Sequence, residues 1–486
     1  MVRIAGFRKV VVRCRILLCA AVVIAAGAAV HFCWPETAGS QPAPAEAMLL
    51  SSDHLETPVN SDNVNLTESR VRRRVPWCGH TRLLSPVTAQ EFQFLSSHRS
   101  NRDLLVYSAF YDPRLAPRKP IIRSTGIARN VGMSGLMCQL WYRRWSQVMV
   151  TMQAHVERLP EGDSRRYQAV LITCSTSSKV EEIPSAVSFA WSHCAQPAGF
   201  LPVRVLPSTP VRNGQFAVCM SPLHSSYDNV DEAVQTLELN RLFGANRFFV
   251  YSFASSKRVA SLLASKHYAK DVTVLPFQPP VNVDRWPQPS NYTVEVKHFA
   301  QMAMLQDCVM RASAKYEFAV FTDMNEVVVP RSKGLSNWRD LVRARMSDNK
   351  TAGLSLQHAD FWLEWPADSE MSANATISGL KLSALLKLHH DEVRLHGTPS
   401  KMIVKPHFVQ LMGVQLMWRY TKGWGTEYVN FRLAGVHRYR SWKDLGPQDS
   451  DQVRDPTLLR YREQLVANVL RARTALGLPL PIHISD

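Results

Sequence analysis

An α/β layer fold, preceded by a β-rich module and a single transmembrane helix, is what this 486-residue sequence predicts. Three observations carry that prediction. From Gly214 onward, short apolar runs alternate with amphipathic helical stretches, the pattern of a mixed sheet flanked by helices. Between Trp77 and Arg212 the apolar runs are short and Pro-punctuated, which reads as strands without covering helices. Ile16 to Trp34 contains no Asp, Glu, Lys or Arg, and at about 1.5 Å per residue it can span a bilayer core of about 30 Å.

The N-terminal elements come first. Arg3, Arg8, Lys9, Arg13 and Arg15 precede the apolar stretch, and Pro35 and Glu36 follow it. Basic residues stay cytosolic, so residues 1–15 read as a cytoplasmic tail, 16–34 as a signal-anchor, and the remainder as lumenal. The small residues Ala25 to Ala29 also suit a cleaved signal peptide. Either reading places the body in the lumen or outside the cell. Residues 35–76 are rich in Pro, Ser, Ala, Asn and Glu and cannot bury enough apolar surface to order themselves, which reads as a flexible stem. The stem ends in Arg70-Val71-Arg72-Arg73-Arg74. That cluster is similar to a proprotein-convertase site, whose cleavage would give a secreted form; a solvated charge run is the plainer reading.

Composition agrees. The chain is 46% hydrophobic and 20% charged, a globular balance. Net charge is +17, and the first 76 residues contribute only nine bases and six acids. The rest is spread without a long Lys/Arg run or a nucleic-acid module, and with the lumenal address this excludes a nucleic-acid binder. Cys78, Cys138, Cys174, Cys194, Cys219 and Cys308 lie beyond the anchor, and none forms a CxxC pair. A structural zinc site is therefore not expected, and an even number suits disulfides in an oxidising lumen. Sequons at Asn65, Asn291, Asn349 and Asn374 point to the same compartment.

Within 77–212, the β-rich module, strands are expected at Leu104–Phe110, Gln147–His155 and Tyr167–Cys174. Within 213–445 the alternation begins with a strand at Gln215–Met220. Asn229 and Glu232 have capping-box spacing and open a helix carrying Val230, Ala233, Val234 and Leu237 on one face. Gly244 suits its left-handed stop. Strands at Arg247–Tyr251 and Asp271–Phe277 follow, then a helix over His298–Lys315 and a strand over Glu317–Thr322. Residues 446–486 read as a helical extension.

Phe318-Ala319-Val320-Phe321-Thr322-Asp323-Met324-Asn325-Glu326 carries the chemistry. Ligands of open α/β sheets collect beyond the carboxyl ends of strands. Asp323 and Asn325 are two apart, so a regular strand would point both to one side and offer two oxygens to a hard cation. Such an ion is commonly shared with phosphate oxygens. A polar turn closing a strand is the bland alternative.

Three blocks between Gly214 and Tyr439 resemble glycosyltransferase family 92. The first is Cys219-Met220-Ser221-Pro222-Leu223, with Glu238, Arg241-Leu242-Phe243-Gly244-Ala245-Asn246 and Phe248-Phe249-Val250-Tyr251. The second is Gln301, Gln306-Asp307-Cys308-Val309-Met310-Arg311 and Phe321 to Glu326. The third is Ser400-Lys401-Met402-Ile403-Val404-Lys405-Pro406, followed by Ala434-Gly435-Val436-His437-Arg438-Tyr439. The resemblance implies a GT-A-type nucleotide-sugar-binding domain, Mn²⁺, and inverting β-linked transfer of galactose from UDP-galactose to fucose or galactose residues of glycoprotein glycans at the Golgi membrane. Most members have a second Asp where this chain has Asn325. That substitution keeps open an alternative, a lumenal glycan-binding or scaffold protein on a degenerate glycosyltransferase fold.

Roles follow as expectations. Asp323, Asn325 and His437 are the candidate metal ligands, Asn325 alternatively meeting the donor ribose. Ser221, Pro222 and Tyr251, at strand ends, are candidates for the uridine. Arg311 is a candidate for the diphosphate, although four-residue spacing equally pairs it with Asp307. An inverting transfer needs a general base, for which Asp360 and Glu364, among Phe361, Trp362 and Trp365, are the candidates, Asp360 preferred. Cys219 with Cys308 is a candidate disulfide.

Overall fold

The computed structural model describes residues 93–94 and 103–481, apart from 115–118, 143–148, 161–165, 177–181, 196, 198, 285–289, 348–349, 398–399 and 444–449. The expected tail, anchor and stem, the Arg70–Arg74 cluster, Cys78 and the Asn65 and Asn349 sequons lie outside the described residues. Among the described residues no helix is long and apolar enough to cross a membrane.

The N-terminal strands are Leu104–Asp112, Ile121–Arg129, Met137–Trp141, Met149–Arg158, Tyr167–Ser175, Ala186–Ala190 and Leu201–Val205. Neighbours pair antiparallel, and Ala109 to Tyr111 also pair in parallel with Val203 to Val205. That last pairing joins first strand to last and closes a barrel, which removes the exposed edges of an open sheet. Leu104, Val106, Ile122, Leu140, Val170 and Phe189 fill one core of it. Cys138 and Cys174 are disulfide-bonded within it.

The strands that shape the main domain are, in chain order, β1 (Phe216–Leu223), β2 (Ala245–Ser252), β3 (Val272–Pro276), β4 (Phe318–Thr322), β5 (Glu326–Pro330), β6 (Thr351–Leu356), β7 (His358–Trp362), β8 (Lys401–Val404), β9 (Gly425–Val429) and β10 (Ala434–Arg440). The seven-stranded sheet runs β3-β2-β1-β4-β8-β6-β9, and a three-stranded one runs β5-β10-β7. Strands β1 to β4 are mutually parallel, and β8 runs antiparallel between β4 and β6. The domain is mixed α/β.

The helices are α1 (Val230–Phe243), α2 (Lys257–Leu263), α3 (Gln301–Ser313), α4 (Trp338–Arg345) and α5 (Arg462–Ala475). Alternate residues of the parallel strands face opposite layers. Phe216, Val218 and Met220 pack with α1, α2, α4 and α5. Ala217 and Cys219 pack with α3 and with Leu105, Tyr107 and Ile127 of the barrel. The Cys219–Cys308 disulfide ties β1 to α3.

Asn229 caps α1 by accepting from the Glu232 N–H at 3.1 Å. Only half of the capping box forms, because the Glu232 carboxylate turns to the Tyr227 hydroxyl, 2.7 Å away. Gly244 ends the helix at φ 113°, which a side chain would resist. Helix α3 begins at Gln301 rather than the expected His298. His298, Phe299 and Ala300 have φ of 48°, 54° and 59°, a left-handed turn built from three residues with side chains.

Candidate active site at the carboxyl end of the parallel strands

Strand β4 ends at Thr322, and Asp323-Met324-Asn325 forms the turn into β5. The expectation that Asp323 and Asn325 share a strand face is corrected accordingly. The turn is held by Glu326, whose Oε2 accepts from the Asp323 N–H at 2.9 Å, and by Asn325 O, which accepts from Tyr439 N–H at 2.9 Å.

Thr322 lies beside Met220 in register, so Asp323 follows next to Ser221 of β1. The Ser221 hydroxyl accepts from Gln301 Nε2 of α3 at 2.6 Å. On the other side, Lys401 opens β8. Its Nζ stands 3.1 Å from Asp323 Oδ2 and 2.9 Å from Glu326 Oε2. Asp323 keeps 37% of its side-chain surface exposed, yet its Oδ1 is buried without a close hydrogen-bond donor. Burial raises the Asp323 carboxyl, but Lys401, Ser221 and Arg438 outweigh it and hold the group below its ordinary value. Glu326, only 2% exposed, goes the other way: burial and the Asp323 charge push it up, against Lys401 and Arg438. Burial favours the neutral amine of Lys401, but the two carboxylates prevail and its ammonium is stabilised well above normal.

A second charge layer adjoins the first. Arg438 of β10 is opposite Glu326 in register and opposite Asp360 of β7 on its other side. It grips Asp360 with Nε at 2.5 Å and Nη2 at 2.8 Å. Arg440 Nη1 stands 3.7 Å from the same carboxylate and its guanidinium lies over the Trp362 ring. Asp360 is 2% exposed. The preferred base is thus corrected: both carboxylate oxygens of this buried side chain face a bidentate guanidinium rather than an acceptor hydroxyl, and it braces Arg438 instead. Glu364, beyond the end of β7, accepts from Ser441 Oγ and from Trp442 N–H. Those bonds outweigh desolvation and lower its carboxyl, so it is ionised at neutral pH.

His437 is not brought to Asp323. It pairs with Val327, one residue out of phase with the Arg438–Glu326 pair, so its ring faces the opposite side of the strand. There it is 1% exposed, 3.2 Å from Asp455 Oδ2, 3.0 Å from Arg331 Nη1, and stacked on Phe361. Burial lowers its pKa against the pull of Asp455. Tyr251 and Arg311 are corrected too. The Tyr251 ring is fully buried and its hydroxyl donates to Asp307 Oδ2. Arg311 Nε donates to the same oxygen at 2.5 Å, four residues along α3. Both belong to the packing of α3 against the barrel residue Tyr107. Pro222 is buried at the end of β1, beside Ser221.

Sequence reasoning missed Lys401 and Arg438 as site residues. A lysine heading the apolar strand Met402-Ile403-Val404 was the available signal, since a buried Lys demands a partner.

The resemblance implies a divalent ion, and the residues present do not complete a site for one. Asn325 supplies no charge and His437 faces away. Among the described residues no three His, Cys, Asp or Glu side chains converge. The Lys401 ammonium already takes one oxygen of each carboxylate. A dication about 4 Å from it would be repelled by roughly 8 kcal/mol at an effective dielectric of about 20, as much as one carboxylate at that distance returns. Asp323 and Lys401 therefore cancel. The depression lined by Glu238, Arg241, Leu242, His267, Asn468 and Arg471 is no alternative site. It lies against the last turn of α1 and against α5, near where β2 begins, and so away from the carboxyl end of the parallel strands.

Comparison with known proteins agrees with the earlier resemblance. The family model described as glycosyltransferase family 92 matches residues 214–469. A Caenorhabditis elegans protein, glycosyltransferase family 92 protein F13G3.3, is 25% identical over 241 residues, 48% of this chain and 44% of its own length. The chain thus spans less than half of that relative. Among solved structures, glucosyl-3-phosphoglycerate synthase from Mycobacterium tuberculosis, in complex with Mn²⁺, UDP and glucosyl-3-phosphoglycerate, is 10% identical, with a TM-score of 0.22 over 55% of this chain and 81% of that one. S. aureus TarS in complex with UDP is 12% identical, with a TM-score of 0.26 over 54% and 72%. Superpositions that slight carry no argument. The family match covers more than half of the sequence and includes the whole site, and the chain belongs to glycosyltransferase family 92.

Proposed function

We infer that this chain transfers galactose from UDP-galactose, with inversion, to a fucose or galactose residue of a glycoprotein glycan. The observation that carries the reading is Asp323. Its Oδ1 is a buried, ionised oxygen without a close donor, at the carboxyl end of parallel strands where ligands of such sheets collect. Lys401 and the Ser221 hydroxyl already serve this carboxylate, and Oδ1 can accept from a further hydroxyl, which a sugar nucleotide brings on ribose and hexose.

In the proposed reaction the acceptor hydroxyl oxygen bonds to the anomeric carbon as the bond from that carbon to the diphosphate oxygen breaks. The hydroxyl proton passes to Glu364, which keeps free lone pairs beyond those used by Ser441 and Trp442. Trp442, half-buried and 6.1 Å from the buried Trp362 ring, offers a face for a sugar ring beside it. The disulfides and the basic-flanked apolar N-terminus support a type II protein of the Golgi membrane with this domain lumenal.

A release assay over a panel of UDP-sugars, with a fucosylated or galactosylated acceptor, tests the reading. UDP release from UDP-galactose that depends on acceptor and is lost in Asp323→Ala is the expected result. Asn325 in place of an acid favours a second reading, a glycan-binding protein without turnover. Glycan binding with no UDP release from any donor selects it.

A further inference from the structure

We propose that the donor diphosphate is held in this site by protein cations, Lys401 with Arg438 and Arg440, in the place a divalent ion would take. The inference rests on the UDP-sugar reading above and adds how the leaving group is bound.

Lys401 uses two of its three N–H groups on Asp323 Oδ2 and Glu326 Oε2, at 3.1 and 2.9 Å. The third is left for a ligand. Arg438 spends Nε and Nη2 on Asp360, which fixes its plane and leaves Nη1 as a donor. Arg440 completes the series. Side-chain exposure rises from 11% at Lys401 through 19% at Arg438 to 29% at Arg440, a graded line of positive charge from the buried turn to the surface.

Asp323, Glu326 and Asp360 balance those cations, so the empty cluster is near neutrality and is stable as it stands. A diphosphate entering it meets oriented donors, and the charge that develops as the sugar leaves is stabilised without any group having to move. An ion would instead have to enter beside Lys401 with one carboxylate, already shared, and one amide as its ligands. The replacement of an acid by Asn325 removes the charge that would have tipped the balance toward the ion, and His437 cannot restore it from the far face of β10.

The test is calorimetric titration of UDP into the full-length protein, first in EDTA and then with Mn²⁺. Binding that agrees within about threefold in the two conditions is expected. Asn325→Asp should respond to Mn²⁺ with at least about tenfold tighter UDP binding. Arg440→Ala, a partly exposed position chosen to leave folding intact, should weaken UDP binding in EDTA by about tenfold or more. Wild-type binding that appears only with Mn²⁺ overturns the inference and leaves the donor assignment standing. Absence of UDP binding in both conditions overturns both.

Discussion

Lys401→Met removes the ammonium while retaining most of the aliphatic stem. Breaking a buried ion pair from one side costs roughly 3–5 kcal/mol, because the remaining charge stays buried. Two carboxylates lose a partner here, and they do not lose equally. Asp323 is 37% exposed and recovers solvation, whereas Glu326 is 2% exposed and cannot. The loss therefore rests mainly on Glu326, and about 3 kcal/mol is expected at pH 8. The deficit has a pH signature. Burial and Asp323 already raise Glu326 in the folded protein, and Lys401 opposes them. Without Lys401 it rises further, so the folded state holds a proton that the unfolded chain, with its carboxyl near about 4.3, has released. Stability of the variant then falls as pH increases through that interval and is level above it. The deficit should be complete near about pH 8 and shrink toward about pH 5. Urea unfolding followed by tryptophan fluorescence over that range measures it. A loss below about 1 kcal/mol, or one that does not vary with pH, refutes Lys401 as the counter-ion.

Opening the Cys219–Cys308 bridge by Cys308→Ser releases a link across a sequence separation of 89 residues, and chain entropy assigns that about 4–5 kcal/mol; the urea midpoint should drop accordingly. Gly435→Ala sets a Cβ 2.2 Å from the Phe431 ring, so a loss of roughly 1–3 kcal/mol is expected from overpacking, visible in thermal unfolding. Glu364→Gln should reduce kcat by about 10²–10⁴-fold with donor KM unchanged, and an unaltered kcat in steady-state assays removes Glu364 as the base.

Much of the main domain was legible because its signals are local. The apolar run ending at Thr322, the Asn229 cap and Gly244 each act within a few residues, and each element formed where its signal lies. The Cys219–Cys308 link was a candidate, but an even count of cysteines does not select a pairing, and the fold does so by setting β1 against α3. What was hidden depends on pairing across the chain. Which face of β10 looks toward Asp323 is fixed by register against β5 and β7, more than 70 residues away. That register selects Arg438 and rejects His437, and no feature of Val436-His437-Arg438 reveals it. Asp360 and Glu364 looked alike in sequence, and only the partner 78 residues on distinguishes them. Tyr251 ends an apolar strand as a donor-binding residue would, but alternation turns it toward α3 and Asp307. Closure of the barrel by Leu201–Val205 is likewise a long-range event.

The turn at His298–Ala300 has a consequence for how the mouth of the sheet is kept in shape. Each non-glycine residue in that conformation costs about 1–2 kcal/mol, which three glycines would have spared. Glycine would also have deleted the Phe299 ring, which lies against the His224 imidazole at 4.2 Å and 9° just past the end of β1. Asp284 accepts from the His298 N–H at 2.6 Å and holds the turn from the other side. The chain thus tolerates a wound spring at the foot of α3 in order to press one flat ring onto another. A Phe299→Gly variant would relax the spring and lose the platform together, leaving the segment just past the end of β1 softer without lowering the stability of the whole protein.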